Sequence, residues 1–279
     1  MSDLTEASAP QTVYRPSPRP TYDCPTAIRY GEVTRHIWGD SESGEVTDWI
    51  YASTDKIHCL VFGLAPQQSF THSKEFRTVF GADEVLEVLS GTLALANPET
   101  GEVVLISKGE RVAFGPDTWH HGFAHGEDPL RVLELYAPPP SAGTSGAYAR
   151  TRPFLEESTY GRADVLDGHL PTLRPISHEL IRWERSLGVL SGVIAATDQL
   201  KVLTLEINPG EKSLPHQHGG DEILYVRDGT LWVRAWDGQQ TFVFELEPRD
   251  ACFIPAGAQH EYRNIDSRVA VATAGIAPA

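Results

Sequence analysis

The stretch LPHQHGGDEILYVRDG, residues 214–229, sets two histidines one residue apart, a carboxylate four positions on and a glycine seven beyond that. Side chains at i and i+2 of an extended segment share one side, so His216 and His218 read as a chelating pair. The intervening GGD lets the backbone reverse. Glu222 then opens a new apolar run, from which its carboxylate can return toward the same point. A fourth group comes from IPAGAQHEYRN (254–264), where Pro255 and Gly257 set His260 behind a tight turn at the head of a strand. Three imidazoles and a carboxylate around one point suit a borderline divalent metal: Fe, Mn, Ni, Cu, Co or Zn. Two coordination positions would stay open for water, substrate or O2.

Outward from this stretch the chain keeps one cadence. Short apolar runs (IHCLVFGL, EVLEVL, TLALA, EVVLI and RVLELY, then KVLTLEI, EILYVRDG, TLWVRAW, FVFELE, ACFIP and VAVATA) are separated by Gly, Pro, Asn and Asp. That is the rhythm of an all-β sandwich or barrel. It occurs twice. Ala52, Thr54, Asp55 and Pro66 match Ala195, Thr197, Asp198 and Pro209 at one constant separation, while Glu84 and Gly91 match Glu222 and Gly229, and Pro116 and His121 match Pro255 and His260, at two slightly shorter ones that differ by one residue. One β unit is therefore repeated, with an insertion in the first copy within HSKEFRTVFGAD. The expected division is an N-terminal arm and leading strands over 1–44, a first barrel over 45–138, a linker over 139–187 with a short helical turn around Pro153 to Ser158, and a second barrel over 188–279. The first 22 residues or so, rich in Pro, Ser and Thr, read as a disordered or surface-clinging arm.

With 23 Lys and Arg against 38 Asp and Glu, the formal charge of −15 disfavours nucleic acid and anionic membrane as partners. No basic, apolar leader or bilayer-length apolar segment is visible, and three scattered cysteines fit a reducing compartment, so a cytoplasmic location is expected. Cys252, in an apolar run, reads as an inert buried thiol.

Taken together, Gly210, His216, His218, Glu222 and Gly229, followed by Pro255, Gly257, His260 and Asn264, resemble the two signature motifs of the cupin superfamily. One departure stands at the start of the second motif, where Arg249 and Asp250 replace the usual glycine. The resemblance implies two tandem double-stranded β-helix (jelly-roll) barrels with short helical linker elements, and His216, His218, Glu222 and His260 as ligands in the mouth of the second. The first copy keeps Glu84 and His121, but Thr78 and Phe80 stand where the paired histidines would fall. A rearranged second site would draw on His72, Glu84 and His121, with Glu75 and His120 nearby in sequence. Trp232 and Trp236 share a face and one would wall the pocket if they point inward. Arg234, Tyr262 and Arg263 are candidates for holding a substrate carboxylate.

The function expected from the resemblance is a metal-dependent oxygenase of dioxygenase type. Its substrate would be a small phenol, enolisable carbonyl or hydroxy or keto acid. Fe(II) is the favoured metal, and Glu222 serves as ligand or general base. The alternatives are a lyase, decarboxylase or isomerase using the same site without O2, and a non-catalytic ligand-binding protein. A monomer and a homodimer both fit two barrels in one chain.

Overall fold

The computed structural model describes residues 17–40, 42–71, 78–139, 149–151, 160 and 171–279. The expected helical turn around Pro153 to Ser158 lies outside them. The first half runs β1 (Thr26–Ile28), β2 (Thr34–Asp40), β3 (Gly44–Ser53), β4 (His58–Leu64), β5 (Ser69–Phe70), β6 (Thr78–Phe80), β7 (Asp83–Ser90), β8 (Thr92–Asn97), β9 (Glu102–Ser107), β10 (Arg111–Phe114), β11 (His121–His125) and β12 (Leu130–Ala137). β13 (Ala149–Thr151), β14 (Arg174–Ile176), a 3-10 turn at His178–Leu180 and β15 (Arg182–Ser186) follow. The rest is β16 (Val189–Ala196), β17 (Lys201–Ile207), β18 (Asp221–Asp228), β19 (Leu231–Trp236), β20 (Thr241–Leu246), β21 (Ala251–Ile254), β22 (Gln259–Arg263) and β23 (Ala270–Ala277).

Each half is a seven-stranded sheet closed over a smaller one. The first pairs β14-β10-β7-β12-β4-β3-β2 with the four strands β5-β11-β8-β9; the second pairs β1-β21-β18-β23-β17-β16-β15 with β20-β19-β22. Alternation along the strands decides which side chains enter each core. In β7, Leu86 and Val88 join the first core with Leu93 and Leu95 of the smaller sheet, while Val85 turns to the opposite face. Leu224, Val226, Leu231 and Val233 form the second core in the same way.

The outer faces of the two large sheets pack on each other through Tyr51, Val61, Val85 and Leu135 against Val202, Ile223, Tyr225 and Phe253. This is why β4 is buried at every residue and reads as an unbroken apolar run: one face lies in a barrel core, the other in the seam. Within the seam Glu87 accepts from Arg111 at 2.7 Å, Arg227 at 2.6 Å and Thr273 at 2.5 Å, so its charge is compensated on both oxygens.

The leading segment and the stretch read as a linker both contribute to the sheets. β1 crosses to the edge of the second large sheet and β14 returns to the edge of the first. Residues 17–22 cling to the surface: Arg19 donates to Thr54 O at 2.7 Å and the Tyr22 hydroxyl to Tyr51 O at 3.0 Å. The insertion inferred in the first copy carries β6, which pairs with β13 in a separate ribbon. Among the described residues, no helix is long and apolar enough to cross a membrane.

Candidate metal centre

His216, His218, Glu222 and His260 converge at the mouth of the second barrel, with one ligand atom from each lying within 4.8 Å of all the others. His216 and His260 exchange both backbone hydrogen bonds, at 2.9 and 2.8 Å, and their rings lie 4.1 Å apart. His216 forms only this isolated bridge, so the histidine pair stands on an extended loop and not on a strand. The i, i+2 spacing still places their rings on one side, 5.2 Å apart. Glu222 sits at the head of β18, and His260 follows the turn at Gly257, whose φ of 79° is left-handed backbone that favours glycine. Asn264 closes the same loop, donating to Ile207 O and Arg268 O at 2.7 Å each.

Backbone carbonyls two residues back fix the tautomers. His216 Nδ1 donates to Leu214 O at 2.8 Å and His260 Nδ1 to Ala258 O at 3.0 Å, which leaves each Nε2 facing the centre as a lone pair. Glu222 Oε2 is 2.9 Å from His260 Nε2 and 3.2 Å from His218 Nε2, yet no aligned hydrogen bond reaches it. Lone pairs crowded this closely repel unless a cation lies between them. The donor set therefore fits a divalent metal bound by three imidazoles and one carboxylate.

The electrostatics agree. Burial alone would push the Glu222 carboxyl up, but His260 and His218 outweigh it and hold the group below the usual carboxylate range. Burial lowers His216 to about 4, keeping it neutral. His260 is raised because the Glu222 carboxylate overcomes its burial. The Tyr262 hydroxyl, buried, donates to Glu222 Oε1 and lies 3.2 Å from His260 Nε2. Each carboxylate oxygen thus has its own task.

The centre opens into a pocket of ≈ 380 Å³, counted to its mouth. Its walls are Leu187, Val189, Leu203, Leu205, Ala274 and Ile276, with polar points at Ser186, Ser191 and Ser213; no Lys or Arg is among them.

Residues 203–274 match the family model described as a cupin domain. The two-barrel fold is shared with the oxalate decarboxylase of Lactobacillus farciminis, solved as a formate complex (TM-score 0.65, 12% identity, 92% of this chain and 87% of that one). It is shared also with Bacillus subtilis oxalate decarboxylase, in a structure assigning its Mn(II) centres (TM-score 0.66, 12% identity, 93% and 78%). The second barrel carries a cupin domain, and the chain as a whole has the two-barrel fold of these structures. At such identity the likeness to the two decarboxylases is one of fold. No curated protein matches the chain by sequence.

The other expected site residues fare differently. His72 and Glu75 lie outside the described residues. With His72 outside the described residues the rearranged site is incomplete; among the described residues the group of three or more ligands is that of the second barrel, and His121 Nδ1 meets the Tyr160 hydroxyl at 2.9 Å. Trp232 and Trp236 do not wall the pocket, because they alternate with the inward Val233 and Ala235. Arg234 stacks over Trp236 at 4.6 Å on that outer face, and Arg263 is exposed beside it, so neither reaches the pocket. Of the three residues considered for holding a carboxylate, Tyr262 alone faces the centre. Arg249 takes a φ of 79°, the conformation for which the motif's usual glycine is suited, and its guanidinium lies 4.1 Å over the Tyr30 ring.

The sequence singles out Tyr262 but not its hydrogen bond to Glu222, and it gives no sign of Ser191 or Ser213. Tyr262 stands two residues from His260 on one strand, hence on its side, a signal that was available. The serines come from other strands and carry no local motif.

Proposed function

We propose that this two-barrel protein is a metal-dependent lyase that cleaves or rearranges a bond next to a carbonyl in a small organic molecule without consuming O2. His216, His218, Glu222 and His260 would hold one divalent ion, Mn(II) or Fe(II). When bound, the ion would polarise a substrate oxygen and stabilise the negative charge that develops there.

The observation carrying this reading is the buried Tyr262 hydroxyl on Glu222 Oε1. With Oε2 turned to the centre, Glu222 Oε1 and Tyr262 form a proton-handling pair at the pocket floor. Glu222 orients the phenol and accepts its hydrogen bond; Tyr262 in turn can give a proton to a carbanion or leaving oxygen and be recharged from the pocket side. The two decarboxylases of similar fold support a lyase over an oxygenase.

The pocket walls limit the substrate. A dianion would bring two charges into a site with no ammonium or guanidinium to receive the second. A neutral ketone or a monocarboxylate with an apolar tail fits better. Anaerobic and aerobic turnover of keto and hydroxy monoacids by the Mn(II)- and Fe(II)-loaded protein, with product mass and CO2 followed, tests the reading. Equal rates in both atmospheres are expected; turnover that stops without O2 would restore the oxygenase.

A further inference from the structure

The first barrel carries, in register, a chemically inverted copy of the second barrel's pocket. In the second, Glu222 pairs with Ile276, Leu203 with Ala274 and Leu205 with Ser191, and all six line the pocket. In the first, Glu84 pairs with Tyr136, Leu60 with Glu134 and Phe62 with Asp48. Where one wall has Ser191, Ala274 and Ile276, the other has Asp48, Glu134 and Tyr136. Three wall positions without charge in the second barrel thus carry two carboxyls and a phenol in the first.

Among the described residues no Lys or Arg forms an ion pair with these carboxyls; Asp48 takes a side-chain hydrogen bond from Trp38, which leaves one of its oxygens over. Asp48 and Glu84 are each 2% exposed, and Asp48 Oδ1 and Glu84 Oε2 have no hydrogen-bond partner. His36, facing Asp48 across β2 and β3, has a buried Nε2 that is likewise unpartnered. Glu134 approaches Glu84 within hydrogen-bonding range while keeping part of its surface open. Burial first, then mutual repulsion, raises Asp48 and Glu84 well above the usual range, and burial raises Glu134 to about 7. The guanidiniums of the surrounding strands are engaged elsewhere: Arg111 with Glu87 at 2.7 Å, Arg131 over Trp49 at 4.6 Å, and Arg19 with Ser53 Oγ at 3.2 Å.

We propose that the interior of the first barrel binds a small organic ammonium ion, with Asp48, Glu84 and Glu134 as its acceptors and Leu60 and Phe62 against its carbon chain. A single metal ion would need the oxygens drawn together as the ligands of the second barrel are, and they are not so clustered. An ammonium group reaches carboxylates through N–H bonds of about 2.7–2.9 Å and tolerates the wider spacing. Binding displaces protons from the carboxyls, so affinity rises with pH.

The test is calorimetric titration of the full chain with butane-1,4-diammonium and n-butylammonium chlorides at constant ionic strength, at pH 6 and pH 8. One saturable site is expected, tighter at pH 8. It should weaken at least about tenfold in Asp48→Asn and in Glu134→Gln, the loss for one charge-assisted hydrogen bond. His218→Ala should leave it unchanged. The metal-free Glu134→Gln protein should melt higher than wild type, since a repulsion is gone, which a purely structural carboxyl would not produce. Absence of saturable binding by either amine overturns the proposal, as does undiminished affinity in both carboxamide variants or displacement of the site to His218. If one variant does not fold, the other and the wild-type titration still decide.

Discussion

Thr197 donates its hydroxyl to Asp83 Oδ2 at 2.6 Å, and its counterpart Thr54 donates to Asp221 Oδ2 at 3.1 Å, so the two barrels exchange the same bond in both directions. Each threonine also closes the turn it starts, accepting from the backbone N–H three residues on. The repeat noticed in the sequence at Thr54 and Thr197 is this reciprocal clasp.

The clasp is uneven, and that sets a prediction. Asp221 also accepts from Lys56 at 2.8 Å and from the Ala256 N–H at 3.0 Å, in the turn that leads to His260. Asp221→Ala should cost about 2–4 kcal/mol by urea unfolding, and Asp83→Ala less. Equal costs, or a negligible one for Asp221, would show that the second barrel does not lean on this carboxylate.

Stability should fall on both sides of an optimum between about pH 4.5 and 6.5. Burial lowers His58 to about 3 and His120 to about 4. Their folded values lie below the unfolded one, so their contribution is complete above about pH 6.5 and is lost as pH falls through those values. The raised carboxyls act oppositely: the Glu134 contribution is complete below about pH 4.5 and disappears as pH rises through about 7. Glu134→Gln should therefore gain a few kcal/mol over wild type at pH 8 and almost nothing at pH 4. Thermal unfolding across this range checks it; a variant no more stable than wild type at pH 8 contradicts the assignment.

Tyr262→Phe removes the hydrogen bond to Glu222 Oε1 while keeping the ring in its buried place. Losing such a partner of a metal ligand weakens metal by about 10–100-fold. Competition with a chelator of known affinity measures it. Unchanged affinity would mean that the phenol does not tune the carboxylate.

Much of the fold was legible because its strands are short, alternating and punctuated. EILYVRDG and ACFIP became β18 and β21, and the ligand quartet was readable from i, i+2 spacing plus a turn before His260. Strand exchange was not legible. TAI in β1 and RPI in β14 are three residues long, and their partners lie far away in sequence, so pairing rests on tertiary contact with no local pattern to show it. The acidic interior of the first barrel was hidden likewise. Asp48 and Glu134 sit in apolar strands where single carboxylates read as solvent-facing, and only the register shows them turned inward.

Metal analysis of the purified wild-type chain beside His216→Ala and His121→Ala bears most directly on the quartet as a metal site. About one transition-metal ion per chain is expected in wild type and in His121→Ala, with loss of the ion in His216→Ala. Retention in His216→Ala together with loss in His121→Ala would contradict the account.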